Sequence, residues 1–272
     1  PADISKAVIS LIKTDPIIKD ILLFKEHSNI DNHIIKIITN LSSQKLLIEL
    51  MSLTPLIDLE IERLFTYIRS FILFNIDKIK NIPEILDIQQ ALALQCFMNE
   101  YIYKENNSET EALMSLEELI NLNISKGIQP EPFTLLCLSS YRPLYLYDWS
   151  NLISMPNEYQ KTFKTLINDF FSEKKISFKI PILKEISDDL SCEVRKQYEE
   201  NPYPKWTNTR LNRLPFTIAE IIKNLNLKLI DKEINMITSP DILIAGCGTG
   251  KHSIDIATNY KNSKILAVDS SL

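Results

Sequence analysis

The sequence predicts a mainly α chain: a helical N-terminal domain, then the opening strand–helix–strand of an α/β sheet that is incomplete within these 272 residues. Three observations predict it. Apolar residues recur at threes and fours through about the first 150 positions, as in Ile57, Ile61, Leu64, Ile68, Phe71 and Ile72. Glycine is scarce, with four residues where an average usage of roughly 7% would give about nineteen, and long side chains suit helices. Finally, three of those four glycines fall at Gly246, Gly248 and Gly250, between two wholly apolar runs.

Taken in order, Ile4, Val8, Leu11, Ile12, Ile18, Ile21 and Leu22 mark an amphipathic start. Ile85 to Tyr103 predicts a buried helix, because Ala91, Leu92, Leu94, Cys96, Phe97, Met98, Tyr101 and Ile102 leave only a narrow polar face. Ser108 stands three before Glu111, a capping-box spacing that opens the next helix. Glu105, Glu109, Glu111, Glu117 and Glu118 are expected on a solvated helix face. Pro130, Pro132 and Pro143 then punctuate a helical pair. The aromatic connection from Tyr141 to Trp149 is expected to pack in the core, with a peptide-binding surface as the alternative. Glu158 to Phe171 predicts another helix, and the charged Glu173 to Lys179 marks a boundary. Pro181 to Glu200 predicts a helix that stops at Asn201-Pro202-Tyr203-Pro204, where each residue before a proline is pushed out of helical geometry. Thr217 to Leu227 predicts a further helix. Ile242 to Ala245 and Ile265 to Val268 predict two buried strands, the second followed by Asp269. The predicted domains are 1–178 (helical), 179–239 (linker helices) and 240–272 (start of the α/β domain).

Composition removes several classes of function. The chain has 30 basic and 35 acidic residues, a net charge of −5 and a pI near 5.4, so a chain-wide nucleic-acid footprint is absent and nucleic acid is the least favoured partner. Cys96, Cys137, Cys192 and Cys247 form no CxxC pair, which argues against a disulfide scaffold or a structural zinc and for a reducing, cytoplasmic setting. Charges interrupt every apolar run near the start, and no stretch reaches the ~18 residues of a membrane span. His27 and His33 read as surface histidines, and no metal site is expected.

The glycine turn carries the chemistry. A ligand lying across the end of a strand must meet bare backbone, and a tight turn there favours positive φ, both of which glycine allows. The helix that follows offers unpaired N–H groups, and Asp269, about twenty residues on, suits a pair of ribose hydroxyls. A P-loop would need glycine at 245 and Ser or Thr at 252, where this chain has Ala245 and His252. The dinucleotide pattern would need glycine at 251, where there is Lys251. The spacing in Gly246-Cys247-Gly248-Thr249-Gly250 resembles motif I of the class I S-adenosylmethionine-dependent methyltransferases. Ile244 departs from that motif, which often has an acid two before the first glycine.

Two longer segments extend the likeness. Val194 to Trp206, with Gln197-Tyr198-Glu199-Glu200-Asn201-Pro202-Tyr203-Pro204-Lys205-Trp206, and Leu243 to His252 resemble consecutive signatures of bacterial tetratricopeptide-repeat-linked methyltransferases. Gln95 to Tyr101 and Tyr141 to Leu144 resemble that family's middle region. No repeat at a 34-residue period is visible in this sequence.

The resemblance implies a Rossmann-like methyltransferase domain that uses S-adenosyl-L-methionine on an unidentified protein or small-molecule acceptor. Gly246, Cys247, Gly248, Thr249 and Gly250 would hold the cofactor's methionine and adenosine parts, and Asp269 its ribose. Tyr198, Asn201, Tyr203 and Trp206 would form a lid or wall of the cleft, or else an aromatic plug. That class has about seven strands and two are visible here. The chain is therefore expected to continue past Leu272, and these 272 residues alone to bind cofactor weakly or not at all. No catalytic residue is identified; Cys247 lacks a neighbouring base, and His252 suits helix-start packing as well as cofactor contact. A non-catalytic helical interaction protein and an NAD-dependent oxidoreductase are the alternatives.

Overall fold

The computed structural model describes residues 2–16, 18–19, 31–80, 82–183, 187–200, 202, 206 and 214–271, and is mainly helical. It divides into two units, Pro1–Ile176 and Ser177–Leu272. No helix among the described residues is long and apolar enough to cross a membrane.

The first unit comprises α1 (Ala2–Thr14), α2 (Asp31–Ser42), α3 (Lys45–Leu53), α4 (Leu59–Phe74), α5 (Ile76–Ile79), α6 (Leu86–Met98), α7 (Asn107–Ser125) and α8 (Pro132–Ser139). Three 3-10 turns then lead to α9 (Gln160–Phe163), a π-helical segment Lys164–Asn168 and α10 (Asp169–Ser177). Helix α6 is the centre, packed against α2, α3 and α8. Ile88, Ala91, Leu92, Ala93 and Cys96 are all buried, the all-round apolar pattern of a core helix.

That helix ends at Met98 rather than at Tyr103. The Tyr101 N–H reaches back to the Cys96 carbonyl (2.9 Å) and the Glu100 N–H to that of Phe97 (3.3 Å). This is a Schellman end, with Glu100 and Tyr101 both at positive φ (61° and 60°). Helix α7 closes on the same pattern with Gly127 in the left-handed position (φ 73°), its N–H on the Ile124 carbonyl and that of Ile128 on Asn123.

The capping box of α7 sits two residues earlier than the sequence spacing predicts. Asn106 Oδ1 accepts from the Glu109 N–H (3.0 Å), and Glu109 Oε2 accepts from the Asn106 N–H (2.9 Å). Tertiary contact selects this register: the other Glu109 oxygen accepts the Tyr141 hydroxyl (2.7 Å). The solvated glutamate face is corrected accordingly. Glu109 is buried, Glu105 pairs with Arg142 (2.6 Å), and Glu117 accepts the Tyr147 hydroxyl.

Arg69, also buried, lies with its guanidinium carbon 3.9 Å from the centre of the Tyr141 ring. It donates to the carbonyls of Lys104 (2.8 Å), Tyr103 (3.3 Å) and Ser140 (3.4 Å). A buried cation needs such acceptors, because unpaired it would lose its hydration without replacement. The aromatic connection packs inward as expected: Tyr141 and Trp149 are buried, and Tyr147 stacks on Trp149 at 4.7 Å.

The second unit holds α11 (Asp189–Glu200), α12 (Ile218–Asn224), a 3-10 turn Lys232–Met236, β1 (Asp241–Ala245), α13 (Lys251–Asn259) and β2 (Lys264–Val268). Helix α11 starts later than Pro181, because residues 181–183 are not helical and Asp188 Oδ1 accepts the Ser191 N–H (2.9 Å) at the helix entry. Thr217 and Glu220 cap α12 reciprocally. The strands run parallel, from Asp241 opposite Lys264 to Ala245 opposite Val268.

Both strands fall where the apolar runs predict, but they are not buried strands. Among the described residues of this unit only Pro240 and Ile244 are buried. Leu243 and Leu266, register partners on one face, are 64% and 63% exposed. Side chains alternate between faces along a strand. Helix α13 packs on β2, and Ile242, Ile244 and Ile265 are shielded while the opposite face has no cover among the described residues.

Candidate functional site

The turn after β1 is built from left-handed backbone. Gly246, Gly248 and Gly250 have φ of 71°, 51° and 82°, a region that costs an L-residue roughly 1–2 kcal/mol. With Gly127 these are all the glycines of the chain, so every glycine stands where φ is positive. A Cβ built on Gly246 or Gly250 would meet nothing within 4 Å. Within the protein, then, these two glycines answer to backbone conformation, and the space above them is open.

Hydrogen bonds tie the turn across the ends of both strands. The N–H groups of Gly246 (2.8 Å) and Cys247 (3.2 Å) donate to the carbonyl of Val268, the last residue of β2. The Gly250 N–H donates to the Cys247 carbonyl (3.0 Å), and the Gly250 carbonyl accepts the Ile254 N–H in the first turn of α13. The first N–H groups of α13 therefore issue directly from the turn.

Asp269 is brought against this turn. Its Oδ2 accepts the Gly248 N–H at 2.7 Å, and its Oδ1 accepts the N–H (3.0 Å) and hydroxyl (2.8 Å) of Ser271. Burial pushes its carboxyl up, but the hydrogen bonds from Ser271 and Gly248 outweigh it and hold the group below its ordinary value. The carboxylate is thus anionic at neutral pH. The Ser270 N–H also contributes to holding the carboxylate charged. Burial, with the nearby Asp269 charge, pushes the Cys247 thiol up, the opposite of what a nucleophilic cysteine needs.

Of the aromatic candidates, Trp206 reaches the turn. Its indole Nε1–H donates to the carbonyl oxygen and the hydroxyl of Thr249, each at 3.1 Å. Tyr198 lies exposed on α11, and no described hydrogen bond or ring contact joins it to the turn. Asn201 and Tyr203 fall outside the described residues, as does His27, and nothing is described of the His33 side chain. His252 is exposed in the first turn of α13.

Beside β1 runs a groove of about 530 Å³, lined along the whole strand and by Ile218, Ile237, His252, Ile256 and Tyr260. Its walls are mostly apolar, and it ends near the glycine turn at Ala245 and His252. Among the described residues no group of three or more His, Cys, Asp or Glu is placed to hold a metal ion.

Two features of the site escape the sequence reading. Ser271 anchors Asp269, and its D-x-S spacing is the usual signal for a serine bonding an Asx side chain. The Trp206–Thr249 pair spans 43 residues and has no local signal. No family model, curated protein or solved structure matches this chain.

Proposed function

We propose that the chain is an S-adenosylmethionine-dependent methyltransferase acting on a protein or small-molecule acceptor. The observation that carries this reading is the closure of the glycine turn on Asp269, with the Gly248 N–H 2.7 Å from the carboxylate at the carboxyl end of β2. Ligands of open α/β sheets bind outside the carboxyl ends of the strands, beside such a turn. We further read 1–178 as a helical domain, 179–239 as linker helices and 240–272 as the opening of a Rossmann-like domain. Four free cysteines, Cys192 among them exposed, favour a reducing cytoplasmic setting.

The residues present fit the cofactor. The open space above Gly246 and Gly250 admits a ligand against bare backbone. Asp269 is the acid that would meet a ribose hydroxyl. Gly246, Cys247, Gly248, Thr249 and Gly250 would line the methionine and adenosine part, and Trp206 would wall the cleft. Bound there, the cofactor supplies a methyl group already activated by its sulfonium. The chain's own work is then to orient the donor, align an acceptor and exclude water. A general base is needed only for an acceptor that must lose a proton, and none is assigned.

Calorimetry with S-adenosylhomocysteine on the chain as made in its own cell tests this. Saturable binding that is lost in Asp269→Ala is the expected result. Absence of binding would sink the methyltransferase reading, and protection by NAD in its place would favour an oxidoreductase, which Lys251 argues against. A second reading, a non-catalytic interaction protein, draws on the exposed Leu243 and Leu266 face. It predicts capture of a protein partner without cofactor binding.

A further inference from the structure

The contact between Trp206 and Thr249 joins a distant segment to the turn by a directed bond. The indole N–H is shared between two acceptors on one residue, at 3.1 Å to each. Thr249 stands between Gly248, whose N–H is held by Asp269, and Gly250, which caps α13. Movement of Thr249 would therefore disturb the acid's donor and the helix start together. An indole gripped at its N–H edge keeps its ring faces for other contacts, and such faces favour flat aromatic groups and cations. A purine nucleoside sulfonium carries both. Trp206 itself is half-buried.

We propose that Trp206 is a positioning residue of the cofactor site: its bond to Thr249 latches the ring against the glycine turn and holds the turn in the conformation that presents Asp269 to the ribose. This rests on the methyltransferase reading. The latch has a consequence that needs no ligand. It slows opening of the turn, so the amides from Gly246 to Ile254 exchange with solvent more slowly than they would without the indole N–H. It also has a consequence for binding, because a turn already in place loses less freedom when the ligand arrives.

Two conservative variants separate the latch from bulk packing. Trp206→Phe keeps a ring but has no N–H, and Thr249→Val keeps the shape of threonine but has no hydroxyl. The chain has two tryptophans, and Trp149 is buried in the helical unit, so a ligand-dependent fluorescence change reports on Trp206. Hydrogen exchange of residues 246–254, fluorescence and calorimetry with S-adenosylhomocysteine are measured on the full natural chain.

The latch predicts that Trp206→Phe speeds exchange of the turn amides and weakens binding, each by about fivefold, the worth of one net hydrogen bond. Thr249→Val should move both in the same direction by less, since the carbonyl acceptor remains. The fluorescence change on ligand addition should vanish in Trp206→Phe. Wild-type exchange and wild-type binding in Trp206→Phe would overturn the latch while leaving the methyltransferase reading intact. Faster exchange in the variant, with no binding by the wild type, would overturn the cofactor role and the methyltransferase reading together.

Discussion

Through the first 176 residues apolar side chains close over one another, and Phe65, Ile68, Leu92, Cys96 and Leu136 are all but inaccessible. From Ser177 onward Ile244 is the buried apolar side chain besides Pro240 among the described residues, while Leu214, Ile230, Leu243 and Leu266 stand exposed. Both units are rich in isoleucine and leucine. What differs is the number of layers: α6 is wrapped by α2, α3 and α8, whereas among the described residues the two strands carry one helix on one face. Burial is thus a property of the arrangement, not of the residue type. The two units are also held differently. The helical one rests on packing, while the glycine turn rests on directed bonds from Gly246, Cys247 and Gly248 to Val268 and Asp269.

Phe65→Ala removes a buried ring from the helical core and should destabilise that unit by about 3–5 kcal/mol, the usual cost of lost transfer and a residual cavity. Leu243→Ala, on the open strand face, should change stability by less than about 0.5 kcal/mol. Urea unfolding followed at Trp149 for the first and at Trp206 for the second reads each unit separately. A Leu243→Ala loss as large as that of Phe65→Ala would mean the strand face is covered and the contrast is mistaken.

Parts of this arrangement were legible in the residues themselves. The clustering of Gly246, Gly248 and Gly250 in a glycine-poor chain pointed to positive φ, which all of them adopt, and the two apolar runs fell on the two strands. The runs did not reveal exposure, because an apolar string states what a strand is made of and not what lies on it. Glu109 illustrates a different limit. Its burial depends on the Tyr141 hydroxyl, 32 residues away, and nothing within one helix period announces such a partner. Arg69 is the same case, with acceptors at Tyr103, Lys104 and Ser140. The capping box failed for a third reason. Asn106–Glu109 and Ser108–Glu111 both satisfy the local pattern, and only the tertiary bond to Tyr141 chooses between them.

The Arg142 hydrogen bonds to Glu105, aided by Thr110, hold its carboxyl below the ordinary value of 4.5 despite partial burial. A carboxyl depressed on folding stabilises the fold above its unfolded pKa, and that contribution is lost as pH falls through the folded value. The helical unit should therefore lose part of its stability below about pH 4.5. Glu105→Gln should flatten that limb in pH-dependent urea unfolding at Trp149 while leaving the second unit's profile unchanged. An identical acid limb in the variant would remove Glu105 from the account.

The smallest effect concerns two helix ends of one geometry. Helices α6 and α7 both finish in a Schellman motif, yet α7 places Gly127 in the left-handed position and α6 places Glu100 there, followed by Tyr101 at positive φ as well. Glycine adopts that region without the Cβ clash that burdens glutamate. Glu100→Gly should relieve the strain, but glycine also frees the unfolded chain, which offsets part of the gain. The net expectation is a stabilisation of about 0.5–1 kcal/mol, seen as a higher urea midpoint at unchanged slope. Gly127→Ala should do the reverse by about 1 kcal/mol, since no neighbour lies within 4 Å of its Cβ position and only the backbone resists the change. If Glu100→Gly instead destabilises the unit, the Glu100 side chain does work at the end of α6 that outweighs its backbone strain, and the two helix ends are not equivalent.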